Sequence, residues 1–181
     1  MAKISINDKN CKYAVMDALL ALIESDKTAP IMLCIGSQRV AGDILGPLVG
    51  DMLVNQYNVN AFVYGTLNRP ITALNLVTAH DFIKKFHPES KILAIDAALG
   101  DSQARGIITI NRDGIVPGAA VSRQLPKIGD YSITANVSVF GKENYSALKK
   151  ARVGEVYSFA EAIAFGINDA LSIKRGLQLY A

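Results

Sequence analysis

The sequence predicts an α/β fold, a largely parallel sheet with helices on both faces, and three observations carry that prediction. Short apolar runs of strand length recur at Ile31–Ile35, Ala61–Tyr64 and Lys91–Ile95. Segments with helical spacing of apolar residues separate them. Turn chemistry, a glycine-containing loop and then Gly46-Pro47, sits where the first strand must give way to helix. Strand, helix, strand, helix, strand is a double βαβ unit, and right-handed crossovers then make the strands parallel.

The elements follow in order. From Asn10 to about Ser25 the residues Ala14, Val15, Ala18, Leu19 and Ile23 recur at helical spacing, which predicts an amphipathic helix packed across the sheet. Ala29-Pro30 ends a linker, and Ile31–Ile35 is the first strand. Gly46-Pro47 opens a helix to about Tyr57, because proline suits the first turn, where N–H groups lack helical partners. Ala61–Tyr64 is the second strand. Thr72 to about Phe86 is the next helix, with Leu74, Val77, Phe82 and Phe86 as its apolar stripe. Lys91–Ile95 is the third strand.

The pattern then changes. Arg105–Asn111 alternates weakly and runs into the turn residues Asn111-Arg-Asp-Gly114, as expected of a strand antiparallel to the rest. Pro117-Gly118 and Leu125-Pro-Lys-Ile-Gly129 frame an irregular loop, and Tyr131–Val139 is the last strand. Val153 to about Gly176 closes the chain as a long helix that buries Val156, Ala160, Ile163, Ile167 and Leu171. No repeat or linker divides the 181 residues, so a single α/β domain over 1–181 is expected.

Composition narrows the function. Half of the residues are apolar, 19% are charged and the net charge is +3, too mild a balance to imply nucleic acid or an anionic membrane. No apolar stretch approaches the roughly 20 residues of a spanning helix, and the N-terminus lacks a signal-peptide core, so the cytoplasm is the expected compartment. Cys11 and Cys34 are the only cysteines, and Cys34 falls in a buried strand, which argues against a disulfide.

Two aspartates stand out. Asp43 lies in the loop after the first strand and Asp96 follows the third. Acids are poor strand formers and costly to bury, so an acid at a strand end usually has work there. Ligands in such sheets bind beyond the carboxyl ends of the strands, where strand order reverses. If the first and third strands are neighbours, Asp43 and Asp96 face one another, and such a pair can share a proton, activate water or hold a metal. Blander readings stand beside this one. Asp43 suits an N-cap, Asp96 suits a loop tether, and Gly42 and Gly46 suit either close substrate approach or simple turns.

Other signals are weaker. Gly36-Ser-Gln-Arg-Val-Ala-Gly42 matches neither common phosphate-loop pattern, and there is no G-x-S-x-G elbow. His80 and His87 lie seven apart on one helix and are expected on its solvent side. Arg39 and Arg123 fall in loops, and Lys149, Lys150 and Arg152 form a short basic face.

With these residues laid out, the chain resembles the YyaC family of sporulation proteins, relatives of the spore germination endopeptidase. The carriers run from about Pro30 to Gly166: Gly42-Asp-Ile-Leu-Gly-Pro47, Val63-Tyr-Gly-Thr-Leu67, Ile92-Leu-Ala-Ile-Asp-Ala97, Pro117-Gly118 and Gly129-Asp-Tyr-Ser-Ile133. The chain departs from the relatives' pattern at Ile44 and Ala120. The resemblance implies a phosphorylase/hydrolase-like three-layer α/β/α sandwich, as in hydrogenase maturation endopeptidases, with a mixed five-stranded sheet of order 2-1-3-5-4 and one antiparallel strand. It implies an aspartic-type endopeptidase with Asp43 and Asp96 as catalytic residues. Gly42, Gly46, Pro117 and Gly118 would contact substrate. No cofactor is implied, although a divalent metal on Asp43 and Asp96 is an alternative, since the hydrogenase proteases bind nickel in these regions. The implied partner is a protein or peptide, small acid-soluble spore proteins among them, in the cytoplasm of a sporulating cell or spore. A non-catalytic sporulation factor binding peptide or metal in the same pocket is the second expectation. Self-assembly through the last helix is a third.

Overall fold

A computed structural model describes residues 1–117, 126–141 and 144–179. The sequence-based assignments to Gly118, Ala120 and Arg123 lie outside the described residues. The elements run β1 (Ala2–Ser5), α1 (Cys11–Ile23), β2 (Ile31–Cys34), α2 (Leu45–Asn55), β3 (Val63–Tyr64), α3 (Leu76–Phe86), β4 (Ile92–Gly100), β5 (Ile107–Asn111), β6 (Tyr131–Val139), α4 (Asn144–Lys149) and α5 (Val153–Leu179).

The sheet has six strands, not the five expected, in the order β1-β5-β6-β4-β2-β3. The additional strand is β1, which pairs antiparallel with β5 through Ala2↔Ile110 to Ser5↔Ile107. Four residues with one buried side chain, Ile4, give too short an alternation to read from sequence; the strand exists because β5 offers an edge. β5 is antiparallel to β6, whereas β2, β3, β4 and β6 run parallel.

A second difference positions the site. β4 does not stop at Ile95 but continues to Gly100, because β6 pairs with it from Leu93↔Tyr131 to Gly100↔Val139. β2 stops sooner, its ladder ending at Cys34↔Ile95. Asp96 is therefore mid-strand, and it is the first residue of β4 beyond the end of its β2 neighbour.

Helices cover both faces. Met32, Cys34, Leu93, Ile95 and Ile133 point into a core shared with α1, α2 and α5, where Val15, Leu19, Val49, Leu53, Phe159 and Ile163 are buried. Ile31, Leu33, Ile35, Ile92 and Ala94 point the other way, against Leu76 and Ile83 of α3. Burial on both faces explains why β2 reads as an unbroken apolar run rather than an alternation. α5 buries Val156, Ala160, Ile163, Ile167 and Leu171, as its spacing predicts.

α3 departs from expectation. Asn75 Oδ1 accepts the Thr72 N–H at 2.7 Å, a turn that delays the helix to Leu76. Leu76 and Ile83 become the buried side, and the expected stripe of Leu74, Val77, Phe82 and Phe86 is exposed. Tyr64 and Phe86 each contact Phe82, at ring-centroid distances of 6.2 and 4.4 Å.

Candidate active site

Where β2 ends, the chain turns sharply into the loop that carries Asp43. Gly36 makes this turn at φ +145°, and a Cβ there would sit 2.0 Å from the Asp43 carbonyl oxygen. Only glycine fits both demands. The Ser37 N–H then donates to that carbonyl at 2.9 Å, closing the loop on itself. Asp43 is not the helix cap: α2 begins at Leu45 after Ile44, with no side-chain capping bond. Its carboxyl is thus not spent on capping the helix.

Gly42 and Gly46 are buried packing positions and do not line the cleft. Gly42 lies against α4, where its N–H donates to the Leu148 carbonyl at 2.9 Å. A Cβ on Gly46 would lie 2.0 Å from the Ile35 carbonyl oxygen, so glycine lets the first turn of α2 rest on the end of β2.

Asp96 comes from the other wall. Its Oδ1 accepts the N–H of Ala97 at 2.8 Å, a contact within its own strand that tethers no loop. Thr134 of β6 is its register partner. Both aspartates and Thr134 line one open cleft of about 920 Å³. Burial, and then the nearby charge of Asp43, push the Asp96 carboxyl well above the usual range, with the Ala97 N–H opposing. Burial also raises Asp43, against a backbone hydrogen bond from Ser37. Two acids in one cleft that both resist ionisation are an arrangement able to share a proton.

The rest of the cleft is more apolar than polar. Leu74, Ile115, Val116, Pro117, Phe140, Tyr145 and Leu148 form its walls, so Pro117 is placed at the site. Arg39 is the single cation among the described lining residues, and it is exposed. Sequence reasoning missed Thr134, Phe140 and Tyr145. Thr134 was legible only through its register with Asp96, and the other two only through the fold of the segment after β6. His80 and His87 are outside the cleft; His87 is not simply solvated, since its Nε2 meets the Tyr64 hydroxyl at 2.9 Å. Lys149, Lys150 and Arg152 are exposed, and Lys149 lies 4.7 Å from the centre of the Tyr145 ring.

The donor set fits a resident metal poorly. Among the described residues no third His, Cys, Asp or Glu joins the pair, and two carboxylates alone leave most of a divalent ion's shell unfilled.

Residues 3–166 match the model of a family described as protein of unknown function, DUF1256. The chain belongs to that family. It is similar to the uncharacterized protein YyaC of Bacillus subtilis (strain 168), with 36% identity over 138 residues, 76% of this chain and 67% of the relative. The family match takes in β2, β4, β6 and the loop that carries Asp43. Cys11 and Cys34 are free and buried, and no helix among the described residues is long and apolar enough to cross a membrane.

Proposed function

We propose that this protein hydrolyses peptide bonds with Asp43 and Asp96 as an aspartic pair, in the manner of the spore germination endopeptidase it resembles. One observation carries the reading: both aspartates line a single open cleft, and the nearby charge of Asp43 is among the causes that raise the Asp96 carboxyl. Asp43 is then the ionised member. Supported by the Ser37 N–H, it takes a proton from a water held between the two acids. The water oxygen attacks the scissile carbonyl carbon, while Asp96 donates its proton to the carbonyl oxygen. The C–N bond breaks as Asp43 passes that proton to the amine nitrogen, and a hydroxyl proton of the collapsing tetrahedral intermediate returns to Asp96, restoring the pair. On this reading the fold is the three-layer α/β/α sandwich of the hydrogenase maturation endopeptidases, with β1 added at one edge. The substrates are proteins such as small acid-soluble spore proteins, met in the cytoplasm of a sporulating cell or spore.

Incubation of the purified chain with a small acid-soluble spore protein tests the proposal. Cleavage should survive a chelator and fall by about 10²–10⁴-fold in Asp43→Asn and in Asp96→Asn, the range for loss of a general acid or base. Full activity of either variant would end the aspartic mechanism, and chelator-sensitive cleavage would move the chemistry to a metal. Binding without cleavage favours the second reading, a peptide-binding sporulation factor. The predominantly apolar walls around the pair suit a peptide in that case too.

A further inference from the structure

Four consecutive residues of β4, Asp96 to Leu99, line the cleft. A strand that presents a face exposes alternate residues, so a run of four means that β4 presents its edge. The ladders say which groups that edge offers. Towards β2, the Lys91 and Ile95 carbonyls accept the Ile31 and Ile35 N–H groups, both at 2.8 Å. Towards β6, the Ile92 and Gly100 carbonyls accept the Asp130 and Phe140 N–H groups, also at 2.8 Å. The register passes from Ala98↔Asn136 to Leu99↔Ser138, so the extra residue, Val137, is on β6 and the alternation of β4 is unbroken. Odd positions therefore face away from β6 throughout. Beyond Ile95 these are Ala97 and Leu99, and among the described residues no strand pairs with them on that side. The Ala97 N–H is held by the Asp96 carboxyl. Among the described residues no strand takes up the Ala97 carbonyl or the Leu99 N–H and carbonyl, which lie on the side away from β6.

We infer that an extended polypeptide segment binds by adding to the free edge of β4 at Ala97 and Leu99, in the lane that β2 vacates at Gly36. The occupant is fixed by the chemistry of the edge. Donors and acceptors at strand spacing complement a peptide backbone, which carries the same groups at the same repeat. The lane has apolar walls, Leu74 and Val116 being exposed at its rim, so large apolar side chains of the segment find contacts there. The carboxyls of Asp43 and Asp96 stand at the head of the lane, where β2 ends. A backbone held in register with β4 would bring one peptide bond to them without reading its side chains closely. This rests on the peptide ligand of the proposed function but not on hydrolysis.

The test reads binding on the Asp96→Asn protein, whose amide oxygen still accepts the Ala97 N–H. The probes are acetylated, amidated peptides of about eight residues, built from Ala, Ser and Thr with one central Leu, Phe or Ile. Each amide of the tightest binder is N-methylated in turn. Strand addition predicts losses of about fivefold or more at every second amide near the centre and little change at those between. Leu99→Pro should weaken the unmodified peptide at least as much, because it deletes an N–H that the β6 ladder does not use, whereas Leu99→Ala retains it. Equal sensitivity at all amides, or none, overturns the inference, as does the absence of binding up to about 1 mM. If Leu99→Pro does not fold, the N-methyl series decides alone. Alternating losses with no turnover by the unmodified protein sink the hydrolase reading only. Turnover with a flat N-methyl profile sinks the strand addition only.

Discussion

At the amino ends of the parallel strands, acids and carbonyls find cations and hydroxyls as partners; at the carboxyl ends, two acids share a cleft and hold only backbone N–H groups. Asp130 accepts the Ile92 N–H at 2.8 Å and faces Lys84 at 3.4 Å. Asp26 Oδ1 accepts the Tyr131 hydroxyl at 2.9 Å, although its Oδ2 is buried without a partner. Lys174, buried at the end of α5, donates to the carbonyls of Ile23, Glu24 and Asp26, and Arg112 donates to Ala21 at 2.6 Å. These cations satisfy the carbonyls that the end of α1 leaves without helical partners. In the cleft, by contrast, burial raises both Asp43 and Asp96, and none of the causes of either shift is a cation. One end of the sheet is built to hold the chain together. The other keeps a charge conflict that a purely structural acid would not need.

The amino end should break most severely when its buried cation goes. Lys174→Met keeps most of the apolar stem but removes all three donors; the Ile23 carbonyl keeps only the Asp26 N–H at 3.0 Å, and the Glu24 and Asp26 carbonyls lose the ammonium. A loss of about 2–4 kcal/mol is expected, seen as a lower urea midpoint with an unchanged slope. Peptide cleavage or binding per folded molecule should not change, because Lys174 does not line the cleft. A midpoint equal to that of the unsubstituted protein would mean that the ammonium contributes nothing there.

The carboxyl end should respond with the opposite sign. Asp96 has a folded-state pKa raised above its unfolded value, so the folded chain binds the proton more tightly. Its contribution to stability is complete below the unfolded pKa and is lost as pH rises through the folded one. At pH 7 the isosteric Asp96→Asn change should therefore raise the melting temperature, by about 2–4 °C for each ~1 kcal/mol recovered in a chain of this size. The gain should vanish near pH 4, where the unfolded carboxyl also takes up its proton. A variant that melts lower than the unsubstituted protein at pH 7 would show that the Asp96 carboxylate is satisfied, and the conflict would be absent.

This contrast also explains what could be read from the sequence. The βαβαβ succession was legible because both-face burial writes itself as apolar runs at β2 and β4, and one-face burial as the stripe of α5. Asp43 and Asp96 were legible because an acid beside such a run is costly. What was hidden depends on partners distant in sequence. β1 exists through β5, the last five residues of β4 exist through β6, and the start of α3 is moved by the Thr72–Asn75 turn. Thr134 reaches the site only through its pairing with Asp96, and Gly42 and Gly46, which look like ligand glycines, are used up against Leu148 and Ile35. Lys174 carries no local sign at all: in the sequence it is one more lysine near the end of a helix.

The smallest effect expected at the amino end concerns one hydroxyl. Burial and the hydrogen bond to Asp26 push the Tyr131 phenol up to about 12, so it stays a donor across the working pH range. Tyr131→Phe keeps the ring and takes away the one hydrogen bond that reaches the Asp26 carboxyl, whose other oxygen already has none. The expected cost is about 1–2 kcal/mol, more than for an exposed pair because the acceptor left behind is half-buried. Combined with Lys174→Met, the two losses should sum to less than their separate values. Both act on Asp26, Lys174 through its backbone oxygen and Tyr131 through its side chain, and a segment already loosened by one has less to lose from the other. Strict additivity in the double variant would show that residues 23–26 and the start of β6 are held independently. Non-additivity would make this end of the sheet a single cooperative clamp.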